Sequence, residues 1–119
     1  MLCAVYIRPE SSAGNAHEVD NQYAHLEADL HEALAGSYNI LICGDFNAQI
    51  GSLDEVSDVH FDLLAACPQL ARGRNTQITQ VNRAGRLLIN MVSNLGCIIT
   101  TGRTPGDNGQ PTFIGYNKS

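Results

Sequence analysis

A carboxylate and an amide follow directly after an apolar segment of this chain. Ile40–Cys43 has no charged side chain, and it is followed by Gly44, Asp45, Phe46 and Asn47. In an extended chain, residues two apart project to the same side, about 7 Å from each other. A carboxylate that accepts a proton from water and an amide that donates to an oxyanion would together suit hydrolysis of a phosphate ester. Asp and Asn also commonly close strands, so these four residues alone leave a purely structural role open.

Hydrophobic patterning predicts the elements that would position this pair. Leu2–Ile7 and Asn39–Cys43 are predicted strands, and Asn21–Ala35 between them repeats apolar residues at helical spacing. The order strand, helix, strand favours two parallel strands, and the continuous hydrophobicity of the second predicts a central position buried on both faces. Because ligands usually bind at the carboxyl ends of such strands, Asp45 and Asn47 are expected at a functional edge.

The same patterns extend into the second half of the chain. Val81–Asn94 has one apolar face, with Asn82 near its start, and is a predicted helix. Cys97–Thr100 is a predicted third strand. The turn-forming residues 104–109 and the following Thr112–Tyr116 predict a hairpin.

Length and composition indicate one soluble domain. The chain has 119 residues, of which 44% are hydrophobic, enough for a single core. No apolar run approaches the ~20 residues of a membrane span, and the N-terminus has no basic lead of a signal peptide. We therefore expect an intracellular protein. Cys3, Cys43 and Cys97 lie in apolar runs and are predicted to be buried free thiols, although cysteine spacing alone leaves disulfides open.

Charge is distributed unevenly along the chain. Residues 1–62 hold eleven of the twelve acidic residues, and residues 63–119 hold six of the seven basic residues. Such a division would suit a basic surface that faces a phosphodiester backbone. From charge alone we prefer the alternative of two ordinary solvated surfaces, and the net charge of −5 argues against general coating of nucleic acid.

Several segments resemble one family in order along the chain. GDFNAQIG resembles the core motif of the endonuclease/exonuclease/phosphatase superfamily, whose nuclease members include deoxyribonuclease I and abasic-site endonucleases. The order of the further segments looks like that of the endonuclease domain of LINE-type non-LTR retrotransposons. These segments are VYIRP (Val5–Pro9), RNTQITQVNRAGRLL (Arg74–Leu88), TGR (Thr101–Arg103) and PGDNGQPTFIGYNKS (Pro105–Ser119). The resemblance implies an α/β fold: a single partial domain over residues 1–119, built as part of the two-sheet α-β-β-α sandwich of deoxyribonuclease I-like proteins.

The resemblance also implies roles for four residues. Asp45 matches the family aspartate that activates or orients the attacking water, and Asn47 matches the asparagine that helps position the scissile phosphate. Tyr6 matches a tyrosine that reaches the phosphate from the side. Thr112 matches the threonine of a hairpin near the substrate. Without the family, Tyr6 reads equally well as a core aromatic residue and Thr112 as an ordinary hairpin residue.

Parts of the family pattern have no counterpart in these residues. The metal-binding glutamate of the family precedes the strand on which this sequence starts, and its Asp-His pair follows the serine on which the sequence ends. Arg8–Pro9 stands where many members have Pro-Asn, Thr101 stands where relatives often have Asn, and Ile78 stands where retrotransposon relatives tend to carry Asp. The intact domain uses Mg²⁺ or Mn²⁺, whereas no metal-ligand set is identified in this chain.

The resemblance therefore implies part of a Mg²⁺-dependent phosphodiesterase or endonuclease, a hydrolase that nicks DNA. In relatives this domain is fused to a reverse transcriptase, which implies a nuclear location. We expect the present chain to be inactive in isolation. Two alternatives stay open: a catalytically silent fold fragment that binds nucleic acid or a partner, and a superfamily phosphatase that acts on a lipid or inositol phosphate.

Overall fold

Two strands and two helices alternate along the described part of the chain. The computed structural model describes residues 1–9, 16–36, 39–56 and 64–110. Their elements are, in order, β1 (Leu2–Tyr6), α1 (Ala16–Ala35), β2 (Leu41–Asp45) and α2 (Arg83–Leu95). The described residues are thus a mixed α/β arrangement. The predicted hairpin strand Thr112–Tyr116 lies outside them. None of the described helices is long and apolar enough to cross a membrane.

The two strands pair in parallel, which confirms the arrangement predicted from their order with an intervening helix. Leu2 lies opposite Leu41, and Tyr6 lies opposite Asp45. The strands form a two-stranded sheet, so the predicted second sheet has no counterpart among the described residues. The two-sheet sandwich therefore stays a prediction.

Among the described residues, only one face of this sheet is covered. Cys3, Val5 and Ile42 are half-buried and pack against the core. On the opposite face, Leu2 is 67% exposed and Leu41 is 65% exposed. The prediction that the second strand is central and buried on both faces is thus wrong for the described structure, because β2 has one strand partner and one covered face.

Both helices contribute to a single hydrophobic core beneath the covered face. α1 and α2 contact each other, so the core lies between the sheet and this helix pair. Its buried residues come from both helices and from the residue that follows β1: Ile7, Val19, Tyr23, Leu30, Ala84, Leu88, Met91, Val92 and Leu95. Since α1 and α2 carry the apolar residues at helical spacing that the sequence showed, burial of one stripe on each accounts for their packing.

Local signals fix both ends of α2. The side chain of Asn82 caps the first turn by accepting from the Gly85 N–H, as its predicted place near the helix start suggests. At the other end, Gly96 adopts a left-handed conformation with φ 68°. The N–H of Gly96 donates to Ser93, and that of Cys97 donates to Val92, which satisfies carbonyls that the helix would leave open.

The predicted third strand, Cys97–Thr100, is not formed. These residues have no strand or bridge assignment, and the backbone of Ile99 is bonded to charged side chains instead. Its N–H donates to Glu55 Oε2 at 2.7 Å, and its carbonyl accepts from Arg103 Nε at 3.0 Å. Two side chains therefore take the place that a neighbouring strand would occupy.

The cysteines are free thiols, as predicted, but they are not uniformly buried. Cys3, Cys67 and Cys97 are half-buried, whereas Cys43 is exposed. The prediction of a buried thiol is wrong for Cys43 because its side chain projects from β2 on the uncovered face of the sheet. Burial raises the pKa of the Cys97 thiol.

Replacing Gly44 with alanine is expected to destabilise the sheet strongly. Gly44 has φ 147°, and a Cβ there would lie 1.9 Å from the carbonyl oxygen of Val5. We expect a loss of at least ~2 kcal/mol in the free energy of unfolding, measured by urea denaturation. Gly73→Ala is the matched control because a Cβ there meets nothing within 4 Å. Equal stability of the two variants would contradict the close approach of β1 and β2.

Candidate active-site edge

The carboxyl ends of β1 and β2 bring two of the predicted site residues together. Tyr6 and Asp45 are register partners at the last position of each strand, and parallel strands lie about 4.8 Å apart. Both side chains project from the uncovered face, and Tyr6 is 65% exposed. A phenol donor and a carboxylate acceptor therefore stand next to each other, open to a ligand.

The chain turns sharply after Asp45. The Asp45 Oδ1 atom accepts from the backbone N–H of Asn47 at 3.0 Å, and Asn47 has φ 47°. Asparagine tolerates this left-handed conformation better than most residues. The sequence-based expectation that both side chains project together from an extended chain is therefore wrong, because β2 ends at Asp45.

The Asn47 side chain links the ends of the two strands. Its Nδ2 donates to the carbonyl of Ile7 at 2.6 Å, one residue beyond β1. The Ile7 N–H in turn donates to the Asp45 carbonyl at 2.8 Å. Asn47 thus holds the strand ends in register, which fixes the positions from which Tyr6 and Asp45 project.

Asn82 fixes the same turn from the side of α2. Its Oδ1 accepts from both Gly85 N–H, at 2.7 Å, and Gln49 N–H, at 2.9 Å. Its Nδ2 donates to the Asn47 carbonyl at 3.3 Å. Sequence reasoning identified Asn82 as a helix start but missed its links to the turn. Gly85, a glycine inside a helical pattern, was the available signal: a Cβ there would lie 1.9 Å from the Gln49 carbonyl oxygen.

We expect Asn82→Ala to weaken both the helix and the edge of the sheet. Loss of an N-cap costs about 1–2 kcal/mol, and the Gln49 N–H loses its acceptor in the same change. The midpoint of urea denaturation should fall accordingly. Asn82→Asp keeps the acceptor and should retain most of the stability. A fall of similar size in both variants would show that the cap does not hold the turn.

A buried tyrosine supports the turn from the core. Tyr23 is 3% exposed, and its hydroxyl donates to the Phe46 carbonyl at 2.9 Å. Desolvation, and secondarily the negative charge of Asp45, raises the pKa of Tyr23 well above its ordinary value. The phenol therefore stays protonated and keeps its hydrogen bond throughout the neutral and moderately alkaline range.

The arginines of the second half fold onto acidic residues of the first half. Arg103 contacts Glu55 at 2.6 Å, Arg74 contacts Glu55 at 3.2 Å, and Arg72 contacts Asp54 at 2.7 Å. The side chains of Arg74, Arg103 and Glu55 are each at most 5% exposed. Burial lowers the pKa of Arg74, although the Glu55 charge opposes that effect. Arg74 and Arg103 therefore do not contribute to the solvated basic surface that the charge division alone would allow.

Asp54 differs from Glu55 because it stays near the surface. Desolvation by itself would raise its pKa. Hydrogen bonds from Arg72 and the Val56 N–H, with the charges of Arg72 and Arg103, more than offset this and hold the pKa of Asp54 below its usual range. Asp54 therefore remains ionised when the solution is made mildly acidic.

The described residues do not provide a metal site at the strand ends. No group of three or more His, Cys, Asp or Glu side chains that could hold a metal ion occurs among them. Mg²⁺ is held by one or two carboxylates together with waters and substrate phosphates, in a demanding octahedral geometry. Asp45 is the carboxylate that β1 and β2 present at this edge, so the ion would need its other ligands from water, a substrate phosphate or further residues. Thr112, the fourth predicted site residue, lies outside the described residues.

Comparisons of the chain with protein-family models, with curated protein sequences and with solved structures found no match. The family resemblance is thus carried by the sequence motifs quoted above. What that resemblance implies about activity is a proposal.

Proposed function

We propose that this chain forms part of a phosphodiesterase domain that cleaves nucleic acid, with Asp45 and Tyr6 in its active site. The observation that carries the proposal is their juxtaposition at the carboxyl ends of two parallel strands, within the motifs VYIRP and GDFNAQIG. Ligand sites in open α/β sheets favour this position. The family resemblance supports the same two residues independently of their pairing.

The chemistry proposed for Asp45 is general base catalysis. Its exposed carboxylate accepts a proton from water as the water oxygen attacks phosphorus. The P–O bond to the leaving oxygen breaks, and that oxygen leaves with the electron pair and takes up a proton from solvent. The Tyr6 hydroxyl donates to a non-bridging phosphate oxygen, whose negative charge increases in the transition state. Asn47 acts in this structure as a positioning residue, since its amide donates to Ile7. In the family, a divalent metal ion supplies further charge stabilisation.

The described residues hold only a part of the machinery that the resemblance implies. A metal-binding glutamate and an Asp-His pair complete the site in family members. Each preorganised charge-stabilising group contributes on the order of 10²–10³ in rate, so their joint loss removes detectable turnover. Residues 1–119 by themselves should therefore leave supercoiled plasmid intact in millimolar Mg²⁺ or Mn²⁺.

We propose DNA as the substrate from the retrotransposon resemblance alone. The same resemblance is the basis for proposing fusion to a reverse transcriptase and a nuclear location. The arginine-rich second half gives this choice less support than the sequence suggested, because Arg72, Arg74 and Arg103 bind acidic residues of the same chain. Lipid or inositol phosphates therefore serve as competitor substrates in any assay of activity.

A chimeric enzyme tests the proposal. Residues 1–119 replace the corresponding segment of an active LINE-type endonuclease, which supplies the glutamate-bearing strand and the Asp-His segment. We expect the chimera to nick supercoiled plasmid in millimolar Mg²⁺ and to stop when EDTA is added. A chimera that melts cooperatively but leaves the plasmid intact would contradict the proposal, as would preferential hydrolysis of an inositol phosphate.

A further inference from the structure

The start of α2 is joined to the turn of residues 45–49, which we call the edge turn. Asn82 and Gln49 are bonded in both directions. The Asn82 N–H donates to the Gln49 carbonyl at 3.1 Å, and the Gln49 N–H donates to Asn82 Oδ1 at 2.9 Å. An antiparallel bridge between Ile50 and Val81 continues this pairing. The position of the edge turn is therefore tied to that of α2.

A glycine in the first turn of α2 makes this close contact possible. Gly85 is buried, and any Cβ at this position would collide with the Gln49 carbonyl oxygen. Glycine is less favourable than alanine within a helix. The residue type at position 85 is therefore explained by the approach of the edge turn and not by the stability of the helix.

The two ends of the Asn82 amide serve different groups. Its Oδ1 atom accepts from the Gly85 and Gln49 N–H groups, whereas its Nδ2 atom donates to the Asn47 carbonyl at 3.3 Å. The N–H of Asn47 in turn donates to Asp45 Oδ1 at 3.0 Å. Asn47 therefore stands between Asn82 and Asp45, with one backbone group bonded to each. Its φ of 47° is a conformation that persists in non-glycine residues where surrounding contacts enforce it.

We infer that Asn82 is a positioning residue for phosphodiester cleavage, a role that rests on the proposed function of Asp45. The Nδ2 group of Asn82 holds Asn47, and through Asn47 it fixes the orientation in which the Asp45 carboxylate meets the attacking water. Asn82 acts only through the chain, because its side-chain hydrogen bonds all go to backbone groups of the described residues. Misplacement of a reacting group by about 1 Å costs on the order of 10²-fold in rate, so a contact one residue removed from the base affects turnover.

Two variants in the chimeric endonuclease separate this role from helix capping. Asn82→Asp keeps the acceptor for Gly85 and Gln49 but puts a second carboxylate oxygen, in place of the amide donor, against the Asn47 carbonyl. Asn82→Ser adds no charge and keeps a capping oxygen, but it has no amide donor. In both variants kcat for plasmid nicking should fall by about 10- to 100-fold, while KM stays within about threefold of the parent value.

Asn94→Asp is the matched control. It makes the same substitution in the same helix and also removes an Nδ2 contact, the one to Glu27 Oε1 at 3.4 Å. Position 94 lies about 18 Å along the helix from position 82, far from the edge turn. The control should nick at the parent rate.

Hydrogen exchange in the 119-residue chain tests the same link without any assay of activity. The Asn47 amide reports on its bond to Asp45. It should exchange about five- to tenfold faster in Asn82→Asp and Asn82→Ser than in the parent. The Gly85 amide, which each variant still caps, should keep its protection.

The two measurements separate failure of this inference from failure of the proposed function. A parent chimera that leaves plasmid intact contradicts the function, and exchange of the Asn47 amide then decides the positioning role by itself. The positioning role is overturned if Asn47 exchange is unchanged in both variants, even where kcat falls, because the loss would not pass through Asn47. It is also overturned if Asn82→Ser nicks at the parent rate, since a fall in Asn82→Asp alone is an effect of charge.

Discussion

Glu55→Gln is expected to lower the free energy of unfolding by about 3–5 kcal/mol, the cost of breaking a buried ion pair by removing one partner. Glu55 has a fully buried side chain and accepts from Arg103, Arg74 and the Ile99 N–H. Glutamine keeps the shape but loses the charge. Two nearly buried guanidinium groups are then left without their shared counter-ion.

The effect should be large relative to the whole stability of the fold. Domains of this kind are stable by only about 5–15 kcal/mol, so the variant should be largely unfolded or melt far below the parent protein. Glu55 also joins segments that themselves lie outside the helices and strands, because Arg103 donates onward to the Ala71 and Arg72 carbonyls. Loss of the carboxylate therefore releases the segments around residues 71–75 and 99–103 together.

Asp54→Asn provides the matched control. Asp54 contacts Arg72 and Arg103, but its side chain is 43% exposed, and exposed ion pairs contribute about 0–1 kcal/mol. Urea denaturation followed by circular dichroism should separate the two variants clearly. If Glu55→Gln loses no more stability than Asp54→Asn, the buried cluster does not hold these segments together.

Local patterns predicted the four described elements, although α1 begins at Ala16 and not at the predicted Asn21. Apolar spacing and the capping residue Asn82 place α2 within two residues of its observed bounds, and the strand–helix–strand order predicted the parallel pairing of β1 with β2. These features depend on residues near each other in sequence. The burial of β2 depends instead on what covers each face of the sheet. Hydrophobicity alone therefore led to the wrong prediction that Leu41 and Cys43 are buried.

The charge division along the chain was visible in the sequence, but its cause was not. Glu55 and Arg103 are 48 residues apart, and no local pattern indicates that they meet. The charges along the sequence allow two solvated surfaces or a surface for nucleic acid, whereas the structure pairs arginines of one half with acidic residues of the other. The strand predicted at Cys97–Thr100 is absent for the same reason, a contact between residues distant in sequence. The Ile99 backbone bonds to Glu55 and Arg103 instead of to a neighbouring strand.

At the candidate site, too, the sequence predicted the position of a residue but not the contacts that depend on distant parts of the chain. The sequence predicted that Asp45 would follow a strand of the sheet, and the structure places it opposite Tyr6 at the carboxyl end of that strand. The orientation of Asn47 was not predictable, because it depends on a left-handed turn and on an acceptor, the Ile7 carbonyl, that is distant in sequence. In the structure Asn47 positions the strand ends, and its predicted contact with phosphate stays a prediction.

The second large effect concerns Asp45 in the chimeric endonuclease. If Asp45 is the base, Asp45→Ala removes the proton acceptor for the attacking water and should reduce the nicking rate by on the order of 10²–10⁴. The fold should be preserved, because Asp45 is exposed and its side chain makes one hydrogen bond within the described residues, as acceptor from the Asn47 N–H. Asp45→Asn keeps an acceptor for that contact, so it separates loss of the base from loss of the turn.

The rate of plasmid nicking by the chimera, compared among the parent, Asp45→Asn and Glu32→Gln, is the most direct test of this assignment. Glu32 is an exposed carboxylate on α1, and its variant controls for a change in net charge. The role of Asp45 as the base predicts nicking at the parent rate for Glu32→Gln and a loss of at least about 100-fold for Asp45→Asn, with equal thermal stability in all three proteins. Nicking by Asp45→Asn within a few-fold of the parent rate would contradict it.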